Sequence, residues 1–336
     1  ALDWNKLKYV DLTKSWWDQD AVQSFALPGG VFWMTGDISY ESVGAAICML
    51  FNKDYFRDNQ LEFPYEMVKE GKWTFDTFLE MVKDYSRDLD GDGVIGDDDV
   101  YGYTSYRWVG PIQAFISSGS RVVKGAADDY AFDVYNERSL SMFEKYFPLI
   151  QSANTFVDVT SDSGGTNKEL FRDGHSLFTD MRVSYVPLMR EMEQEFGILP
   201  WPKYDEMSEY TANVDAGTNM MFVPITNQVT DNTSLVLESL AILGREYAIP
   251  AYYDVALKTR DSRDEQSSEM LDIIVSNRVF DLGYYDEELG GAFASHFAEL
   301  AKESSPDFAS WYEKKLPSAT ASRDKTLAAY RERAGE

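Results

Sequence analysis

The strongest chemical signal in the sequence is an acidic run from Asp88 to Asp99. Counted from its first residue, the run has acids at positions 1, 3, 5 and 12, glycine at position 6 and an aliphatic residue at position 8. This is the spacing of an EF-hand calcium loop, in which alternate residues direct about six to eight oxygens onto one hard cation. The predicted calcium ligands are Asp88, Asp90, Asp92, the backbone carbonyl of Val94, and Asp99.

One residue departs from the usual calcium loop, because Asp99 stands at the closing position where Glu is common. Its shorter side chain would bind through one oxygen or through water, and Gly96 at the ninth position would also act through water. The alternative interpretation is a solvated acidic turn. Crowded carboxylates repel one another without a cation, which favours calcium. The sequence has no second loop of this kind, so we expect a structural ion and no calcium sensor.

Residues for covalent or metal-assisted catalysis are scarce in the sequence. The two histidines, His175 and His296, stand in no metal-ligand spacing, and we expect them on the surface or in satisfied packing positions. Neither a Gly-x-Ser-x-Gly elbow nor a P-loop pattern is present. Cys48 is the single cysteine, so an intramolecular disulfide is impossible. Paired carboxylates could still cleave a glycosidic bond, but so acidic a chain contains close pairs by chance and no motif marks one.

Length, charge and composition limit the class of protein. At 336 residues the chain is about right for two domains. With 31 basic and 57 acidic residues, its net charge of −26 repels polyanions, which argues against nucleic acid or an anionic membrane surface as a partner. A neutral or cationic ligand fits better. Aromatic residues make up 15% of the chain, enough to fill its cores and leave rings for a ligand.

The periodicity of apolar residues alternates between helical and strand-like along the chain, which indicates an α/β fold. No apolar stretch approaches the ~20 residues that a membrane-spanning helix needs. The clearest predicted elements are helices over 74–87, 235–247 and 267–277, and strands over 30–34, 176–180 and 219–224.

Short segments throughout the chain carry a family likeness. They are Asp11-Leu12, Trp16-Trp17-Asp18, Gly36-Asp37 and 50–54; then 64–68, 71–74, the loop 88–99 and Tyr101-Gly102; and last 250–254, Arg263-Asp264, 269–271, Ile274 and 280–283. In order and spacing they resemble the extracellular solute-binding proteins (family 1) of sugar ABC importers, the group that includes maltose-binding protein. Each segment alone is weakly specific. Together they are specific and span nearly the whole chain.

The resemblance implies a two-lobed, periplasmic-binding-protein-like (type II) α/β fold with a hinge, in which each lobe is a sheet flanked by helices. Residues 1–46 and 214–278 would belong to the N-terminal lobe. Residues 47–213, with the calcium loop, and residues 279–336, with the C-terminal helices, would belong to the C-terminal lobe. Family members normally begin with a further stretch of N-terminal lobe, so the resemblance also implies that this chain lacks that stretch.

The resemblance places the ligand in the cleft between the lobes, stacked on aromatic rings and hydrogen-bonded by polar side chains. Any single ring is more often part of a core than of a ligand platform, and we expect Trp16 and Trp17 to pack. The ligand-binding residues that the resemblance implies are Tyr106, Arg107 and Trp108; Arg182; Asp215 and Thr218; Asp37 and Tyr40; and Tyr284 and Tyr285.

The function implied by the resemblance is binding of a carbohydrate, with an oligosaccharide favoured by the abundance of rings. The ligand would pass unchanged to the permease subunits of an ABC importer. We expect a monomer with a structural Ca²⁺, located outside the cell and either lipid-anchored at the bacterial surface or periplasmic. A secreted glycoside hydrolase or lyase that uses paired carboxylates is the alternative. A third hypothesis is a surface protein-interaction module that the calcium loop makes rigid.

Overall fold

The structure, a computed structural model, describes residues 1–83, 85–125, 129–160, 165–303 and 306–334. The predicted α/β class is confirmed, because a six-stranded sheet carries helices on both of its faces. None of the described helices is both long enough and apolar enough to cross a membrane.

Seven of the strands have two residues, and the longer ones, of four to seven residues, all belong to the large sheet. In chain order the strands are β1 (Ala26–Leu27), β2 (Gly30–Val31), β3 (Ile47–Asn52), β4 (Ser86–Arg87), β5 (Val100–Tyr106), β6 (Val123–Lys124), β7 (Ala131–Phe132), β8 (Thr155–Asp158), β9 (Ser176–Arg182), β10 (Phe196–Leu199), β11 (Ala212–Asn213) and β12 (Arg278–Val279).

The α-helices of the described residues are α1 (Gln19–Ser24), α2 (Glu41–Gly44), α3 (Lys53–Asp58), α4 (Tyr65–Lys69), α5 (Phe75–Val82), α6 (Gly110–Ser117), α7 (Glu137–Ile150), α8 (Thr166–Arg172), α9 (Thr230–Leu243), α10 (Glu265–Ser276), α11 (Leu282–Tyr285), α12 (Phe293–Leu300) and α13 (Phe308–Ala334). Two segments are 3₁₀-helical, Trp4–Lys6 and Val183–Met189, and two are π-helical, Gly244–Ala248 and Ala251–Asp261.

The large sheet is mixed, because β3 and β4 run in the direction opposite to the other four strands. Its order is β10-β3-β9-β5, and the outer edge of β5 pairs with β4 along its start and with β8 along its end. Strand β5 runs parallel to β8 and β9, whereas β3 runs antiparallel to both β9 and β10. The amino end of β3 therefore lies at the same sheet edge as the carboxyl ends of β5, β8 and β9.

Strand β3 is buried on both faces, which is why its sequence is an unbroken apolar run. Ile47, Met49 and Phe51 belong to the core on one face, and Cys48 and Leu50 to the core on the other. All of these residues are fully buried. Helices α4 and α5 cover the first face, and α8 and α10 cover the second.

The turn from β3 into α3 explains the segment 50–54 of the family likeness. Asn52 caps α3, since its side-chain oxygen accepts hydrogen bonds from the amides of Asp54 (3.1 Å) and Tyr55 (3.4 Å). The next residue, Lys53, is buried and forms a close ion pair with Asp264. Asp264 in turn caps α10 by accepting the amide hydrogen of Ser267 at 2.7 Å. One short segment thereby ties the central strand to a helix more than two hundred residues later.

Helix α5 confirms the start of the predicted helix over 74–87 but not its end. The Thr74 hydroxyl caps the helix by accepting the amide of Thr77 at 3.2 Å, and Phe75, Phe78 and Val82 face the core. The helix ends at Val82 because Ser86–Arg87 pairs with the start of β5 instead. Backbone ladder bonds to the sheet replace the last predicted helical turn.

Two of the other predictions are confirmed within a few residues at each end. The strand over 176–180 is part of β9, and the helix over 267–277 is α10. The predicted helix over 235–247 begins earlier, at Thr230, and its last part is π-helical from Gly244 onward. At Gly244 a side chain has no room, because an added Cβ would lie 1.9 Å from the backbone oxygen of Asp37.

The predicted strands over 30–34 and 219–224 are wrong in extent. The first is limited to β2, which pairs with β1 across the turn at Pro28-Gly29, where Gly29 has a φ of 84°. The second contributes a single antiparallel bridge between Met34 and Met221. The two runs therefore meet at this one bridge.

Three chain segments lie side by side near the start of β3, namely residues 45–46, 212–215 and 278–279. The amide of Asp215 donates to the backbone oxygen of Ala45 at 2.9 Å, and Ala46 forms a bridge with Val214. The Val214 amide donates to Val279 at 3.0 Å, and β11 runs parallel to β12. These are the segments that the family likeness predicts as crossings between lobes, and their hinge role stays a prediction.

Residues before β3 pack with the segment after β11. The indole N–H groups of Trp16 and Trp17 both donate to the carboxylate of Glu238, each at 3.0 Å. Trp17 and Glu238 are buried, as expected for a packing role of this tryptophan. The predicted lobe boundaries stay a prediction, and α10 from the 214–278 segment lies against β10 of the large sheet.

The aromatic core on the α5 face gives a stability test at Phe178. This ring is fully buried and lies 5.3 to 5.8 Å, centroid to centroid, from the rings of Phe56, Trp73 and Phe78. We expect Phe178→Ala to lower the free energy of unfolding by roughly 3–5 kcal/mol in urea denaturation, through lost burial and a cavity. Phe222→Ala, at a ring that is 60% exposed, should change it by less than about 0.5 kcal/mol. Similar losses in both variants would contradict this description of the core.

Candidate functional site

Ligands of open α/β sheets bind outside the carboxyl ends of the parallel strands, so the candidate site is the edge where β5, β8 and β9 end. Tyr106 and Asp158 are paired at the last positions of β5 and β8. Arg182, the last residue of β9, pairs with Ile47 at the start of β3. The strand register therefore brings residues from four separate parts of the chain to one edge. We call this the ligand edge.

Arg182 and Asp215 form the central ion pair of the ligand edge. They are in close contact, with exposed side-chain fractions of 22% and 9%. The Asp215 carboxylate also accepts the amide of Gly217 at 2.7 Å and the hydroxyl of Tyr284 at 3.4 Å. Burial raises the pKa of the Tyr284 phenol, which therefore stays protonated and able to donate. The structure thus joins three of the predicted ligand-binding residues, each from a different segment.

Thr218 and Tyr285 lie beside this cluster but face backbone groups. The Thr218 hydroxyl donates to the Glu41 backbone oxygen at 3.2 Å, and the Tyr285 hydroxyl donates to that of Val214 at 2.7 Å. The Tyr285 ring also stacks on Phe280 at 6.0 Å between centroids. In this arrangement both hydroxyl groups link the crossing segments through hydrogen bonds to backbone oxygens.

Trp108 is the predicted ring that lies most directly at the end of β5. It is partly buried, and the guanidinium of Arg107 lies 4.8 Å from the centre of its ring. Arg107 itself is buried and pairs with Glu299 of α12 at 3.1 Å. Tyr106 is buried within β5. Of these three predicted residues, Trp108 has the partly exposed ring, whereas Arg107 and Tyr106 are buried.

Asp37 lies away from the ligand edge, whereas Tyr40 directly precedes Glu41, whose backbone oxygen accepts the Thr218 hydroxyl beside the Arg182 pair. Asp37 pairs with Arg245 at 3.0 Å and lines a cavity of about 570 Å³ that also includes Asp18 and Arg278. Burial raises the pKa of Asp37, and Arg245 opposes this shift. Tyr40 is 48% exposed and its ring lies 4.8 Å from that of Tyr252. The structure places Asp37 in this cavity and not with the Arg182 pair.

Sequence reasoning missed three residues of the ligand edge. Lys168 of α8 lies 4.0 Å above the ring of Tyr185, and Arg182 lies 5.8 Å from the same ring. Burial lowers the pKa of Lys168, and the nearby Arg182 charge adds to this effect. Asp158 is buried and accepts the amides of Thr160, Gly165 and Thr166 at 3.2 to 3.3 Å. Only Asp158 left a signal, since it directly follows the strand-like run 155–157.

The ligand edge is suited to holding a polar molecule that has flat apolar faces. Trp108, Tyr185 and Tyr40 are at least partly exposed rings, and Arg182, Lys168 and Asp215 supply hydrogen-bond donors and acceptors. Aromatic faces combined with a few oriented polar groups are the usual composition of a small-molecule site. No residue of this set has the base-and-nucleophile pairing that covalent catalysis requires.

The predicted calcium loop connects β4 to β5, at the sheet edge opposite the ligand edge. Asp88 accepts the amides of Gly91 (2.6 Å) and Gly93 (2.8 Å), and Asp99 accepts those of Leu89 (2.7 Å) and Gly96 (2.8 Å). The amides of Gly96 and Leu89 lower the pKa of Asp99. The loop is thereby curled around its acidic side chains.

Three of the predicted calcium ligands converge in this curled loop. One carboxylate oxygen from each of Asp88, Asp90 and Asp99 lies within 4.8 Å of the others. An all-oxygen set of this kind fits a hard divalent cation. Asp92 accepts the Val94 amide at 2.7 Å, as alternate residues of such loops do. The residues present therefore fit Ca²⁺, with glycines at φ of 77° (Gly91) and 86° (Gly93) forming the sharp turns.

No protein-family model matches the chain. None of the curated proteins matches it either.

Solved structures do match over almost the whole chain. An ABC substrate-binding protein of Listeria monocytogenes in complex with cycloalternan is 12% identical, with a TM-score of 0.57, and the match covers 96% of this chain and 76% of that one. The maltose/maltodextrin-binding domain of Bdellovibrio bacteriovorus bound to maltotriose is 13% identical, with a TM-score of 0.58 and coverages of 92% and 76%. UspC of M. tuberculosis is 15% identical, with a TM-score of 0.59 and coverages of 93% and 80%.

These likenesses show a shared fold. The chain is similar in fold to ABC solute-binding proteins of the two-lobed, periplasmic-binding-protein-like kind, which confirms the predicted fold class. The Listeria and Bdellovibrio proteins are binding proteins in complex with a carbohydrate.

The ion pair between Arg182 and Asp215 provides a test of the ligand edge. Single and double alanine replacements should reveal a coupling free energy of roughly 1–3 kcal/mol in urea denaturation, because the two charged groups are mostly shielded from water. The surface pair Lys8 and Asp231, at 2.8 Å but 58% and 59% exposed, should give less than about 1 kcal/mol. Equally weak coupling in both pairs would contradict a shielded, stabilising ion pair at the crossing segments.

Proposed function

We propose that this protein binds a carbohydrate outside the cytoplasm and delivers it, chemically unchanged, to an ABC importer. The observation that carries this proposal is the ligand edge, where partly exposed aromatic rings lie beside the Arg182–Asp215 ion pair at the three crossing segments. The fold is shared with sugar-binding proteins. A sugar ring has apolar C–H faces and hydroxyl edges, so it matches rings and hydrogen-bonding groups together.

The ligand class is an oligosaccharide. Two of the similar structures carry cycloalternan and maltotriose. The rings of Trp108, Tyr185 and Tyr40 come from different segments and could contact successive sugar units. Arg182 and Asp215 would bind hydroxyl groups near the crossings, with the Thr218 hydroxyl beside them as an acceptor. Binding would close the two predicted lobes about those segments.

The partners and location follow from the same proposal. The ligand would pass to permease subunits, and the protein would act as a monomer, lipid-anchored at the bacterial surface or in the periplasm. The net charge of −26 suits a neutral ligand such as a sugar, because it neither attracts nor repels it.

Calcium completes the proposal as a structural ion in the loop from Asp88 to Asp99. The three converging carboxylates support it, with Asp92 and the Val94 carbonyl as further ligands. Bound Ca²⁺ would offset part of the clustered negative charge and hold β4 against the start of β5.

We expect Trp108→Ala to weaken oligosaccharide binding at least tenfold, or about 1.4 kcal/mol, through the loss of a stacking face. Isothermal titration with maltotriose and a panel of other oligosaccharides would measure this. The control is Tyr9→Ala, at a ring that is 43% exposed and lies outside the ligand edge. Wild-type affinity in the Trp108 variant would remove this ring from the site.

The same sugar panel, incubated with wild-type protein, separates binding from the hydrolase or lyase alternative. We expect no new reducing ends or shortened products. Turnover of any sugar would refute the binding proposal, whereas a smaller radius of gyration on adding a bound sugar would support closure about the crossings.

Chelation provides a separate test of calcium. Removing Ca²⁺ should lower the melting temperature, because an ion at a hundredfold excess over its Kd stabilises the folded state by about 2.7 kcal/mol. Asp90→Ala should abolish most of this response. Asp97→Ala, which removes an acid from the same loop but not a predicted ligand, should retain it. If neither chelator nor added Ca²⁺ changes the melting temperature of the wild-type protein, the loop does not bind a structural calcium ion.

A further inference from the structure

Asp180 is a buried carboxyl group directly below the ligand edge. It lies on β9, two residues before Arg182, and is fully buried. A charged group without water is costly unless donors surround it. Since neither the core nor the proposed sugar contacts require a carboxylate here, its presence calls for a local explanation.

Three neutral donors converge on this carboxylate. The Tyr103 hydroxyl donates to Oδ2 at 2.5 Å, the Ser105 hydroxyl to Oδ1 at 2.9 Å, and the Trp201 indole N–H to Oδ2 at 3.4 Å. Tyr103 and Ser105 belong to β5, and Trp201 follows β10. The carboxylate therefore connects β5, which ends two residues before Trp108, to the segment that follows β10.

The first residue of α6 rests on the same network. A Cβ added to Gly110 would lie 2.1 Å from the Tyr146 hydroxyl, 2.4 Å from that of Ser105 and 3.3 Å from the Asp180 carboxylate. The amino end of a helix carries partial positive charge, which favours a nearby anion. Trp108 stands two residues before Gly110, so the position of this helix start sets the position of the ring.

The groups that face Asp180 keep their protons near neutral pH. Burial raises the pKa of Tyr103 on β5, of Tyr146 on α7 and of Cys48 on β3, and the Asp180 charge raises each of them further. Burial also raises the pKa of Asp180 itself to about 6, against the opposing effect of its three donors. Asp180 is therefore the group of this cluster that changes charge in the range of pH 5 to 7.

We propose that Asp180 is a positioning residue of the ligand site: its carboxylate holds the turn between β5 and α6, and thereby Trp108 and Arg107, opposite Arg182. The sugar part of this inference rests on the proposed function, whereas the effect on the turn does not. The ionised carboxylate accepts hydrogen bonds from all three donors. Once protonated, it must itself donate, and the network that supports the helix start loosens. Sugar affinity should then decline as the pH falls through about 6.

The decisive experiment is hydrogen exchange at the amides of Arg107 and Val109, corrected for the intrinsic effect of pH. These amides donate to Asp158 at 3.3 Å and to Tyr106 at 2.8 Å, so wild-type protein should protect them at pH 7.5. We expect protection to drop at least fivefold at pH 5.0, and to be low at both pH values in Asp180→Asn. Unchanged protection and pH response in this variant would overturn the positioning role.

Asp281 provides the matched control for exchange. It is equally buried, its pKa is also raised by burial to about 6, and it accepts backbone amides of Val122 and Gly283 instead of contacting β5. Asp281→Asn should keep the wild-type protection and pH response at Arg107 and Val109. If only the Asp281 variant lost the pH response, Asp281 and not Asp180 would control protection at these amides, and the proposal would be overturned.

Titration with maltotriose at pH 7.5 and 5.0 measures the consequence for binding. We expect the wild-type Kd to rise about fivefold at pH 5.0, and Asp180→Asn to bind weakly at both pH values. A Kd that is insensitive to this substitution, while exchange responds, would overturn the link to the ligand. Wild-type protein that binds no sugar would contradict the proposed function, and exchange alone would then decide the effect on the turn.

A second variant keeps the test valid if Asp180→Asn does not fold. Ser105→Ala removes one donor and leaves the carboxylate in place, so it should shift the pH midpoint of the exchange response upward, since one interaction that favours the charged form is lost. A midpoint identical to that of wild-type protein would overturn the proposal.

Discussion

The reversed direction of β3 is the constraint on which the rest of the structure depends. Because this one strand runs antiparallel between β9 and β10, the chain enters the sheet at the edge where the parallel strands leave it. The segment before β3 therefore arrives beside Arg182, where the returning segment around Val214 pairs with it. The segment around Val279 pairs in turn with Val214. Had β3 been parallel, the crossings and the ligand edge would lie at opposite ends of the sheet.

The sequence predicted the parts of the fold that local chemistry determines. Strand β9, helix α10 and the capped start of α5 follow from apolar period and from a Thr at the first cap position. It also named Arg182, Asp215 and Tyr284 as members of one site. That prediction came from the family likeness, since these residues are distant in the chain and only strand register and the crossings bring them together.

The wrong secondary-structure predictions and the overlooked site residues lie where contacts between distant parts of the chain decide the structure. Residues 86–87 continue a helical pattern, yet they pair with β5 because a free sheet edge was available there. The segment 219–224 reads as a strand but finds one bridge partner. Lys168 and Asp180 carry no distinguishing pattern, since a lysine on a helix and an acid near a strand end are ordinary features. Their importance comes from the rings and hydroxyl groups around them, which no local window contains.

The acidic loop and Trp108 stand at opposite ends of one strand. Seven residues of β5 separate them, a span of roughly 20 Å at about 3.3 Å per residue. Ionic strength near that of a cell reduces the field of an exposed charge within about 8 Å. The electric field of a cation in the loop would consequently be screened before it reached a sugar at the far edge. Communication between the two ends would have to be mechanical, as a displacement of β5 along its own axis.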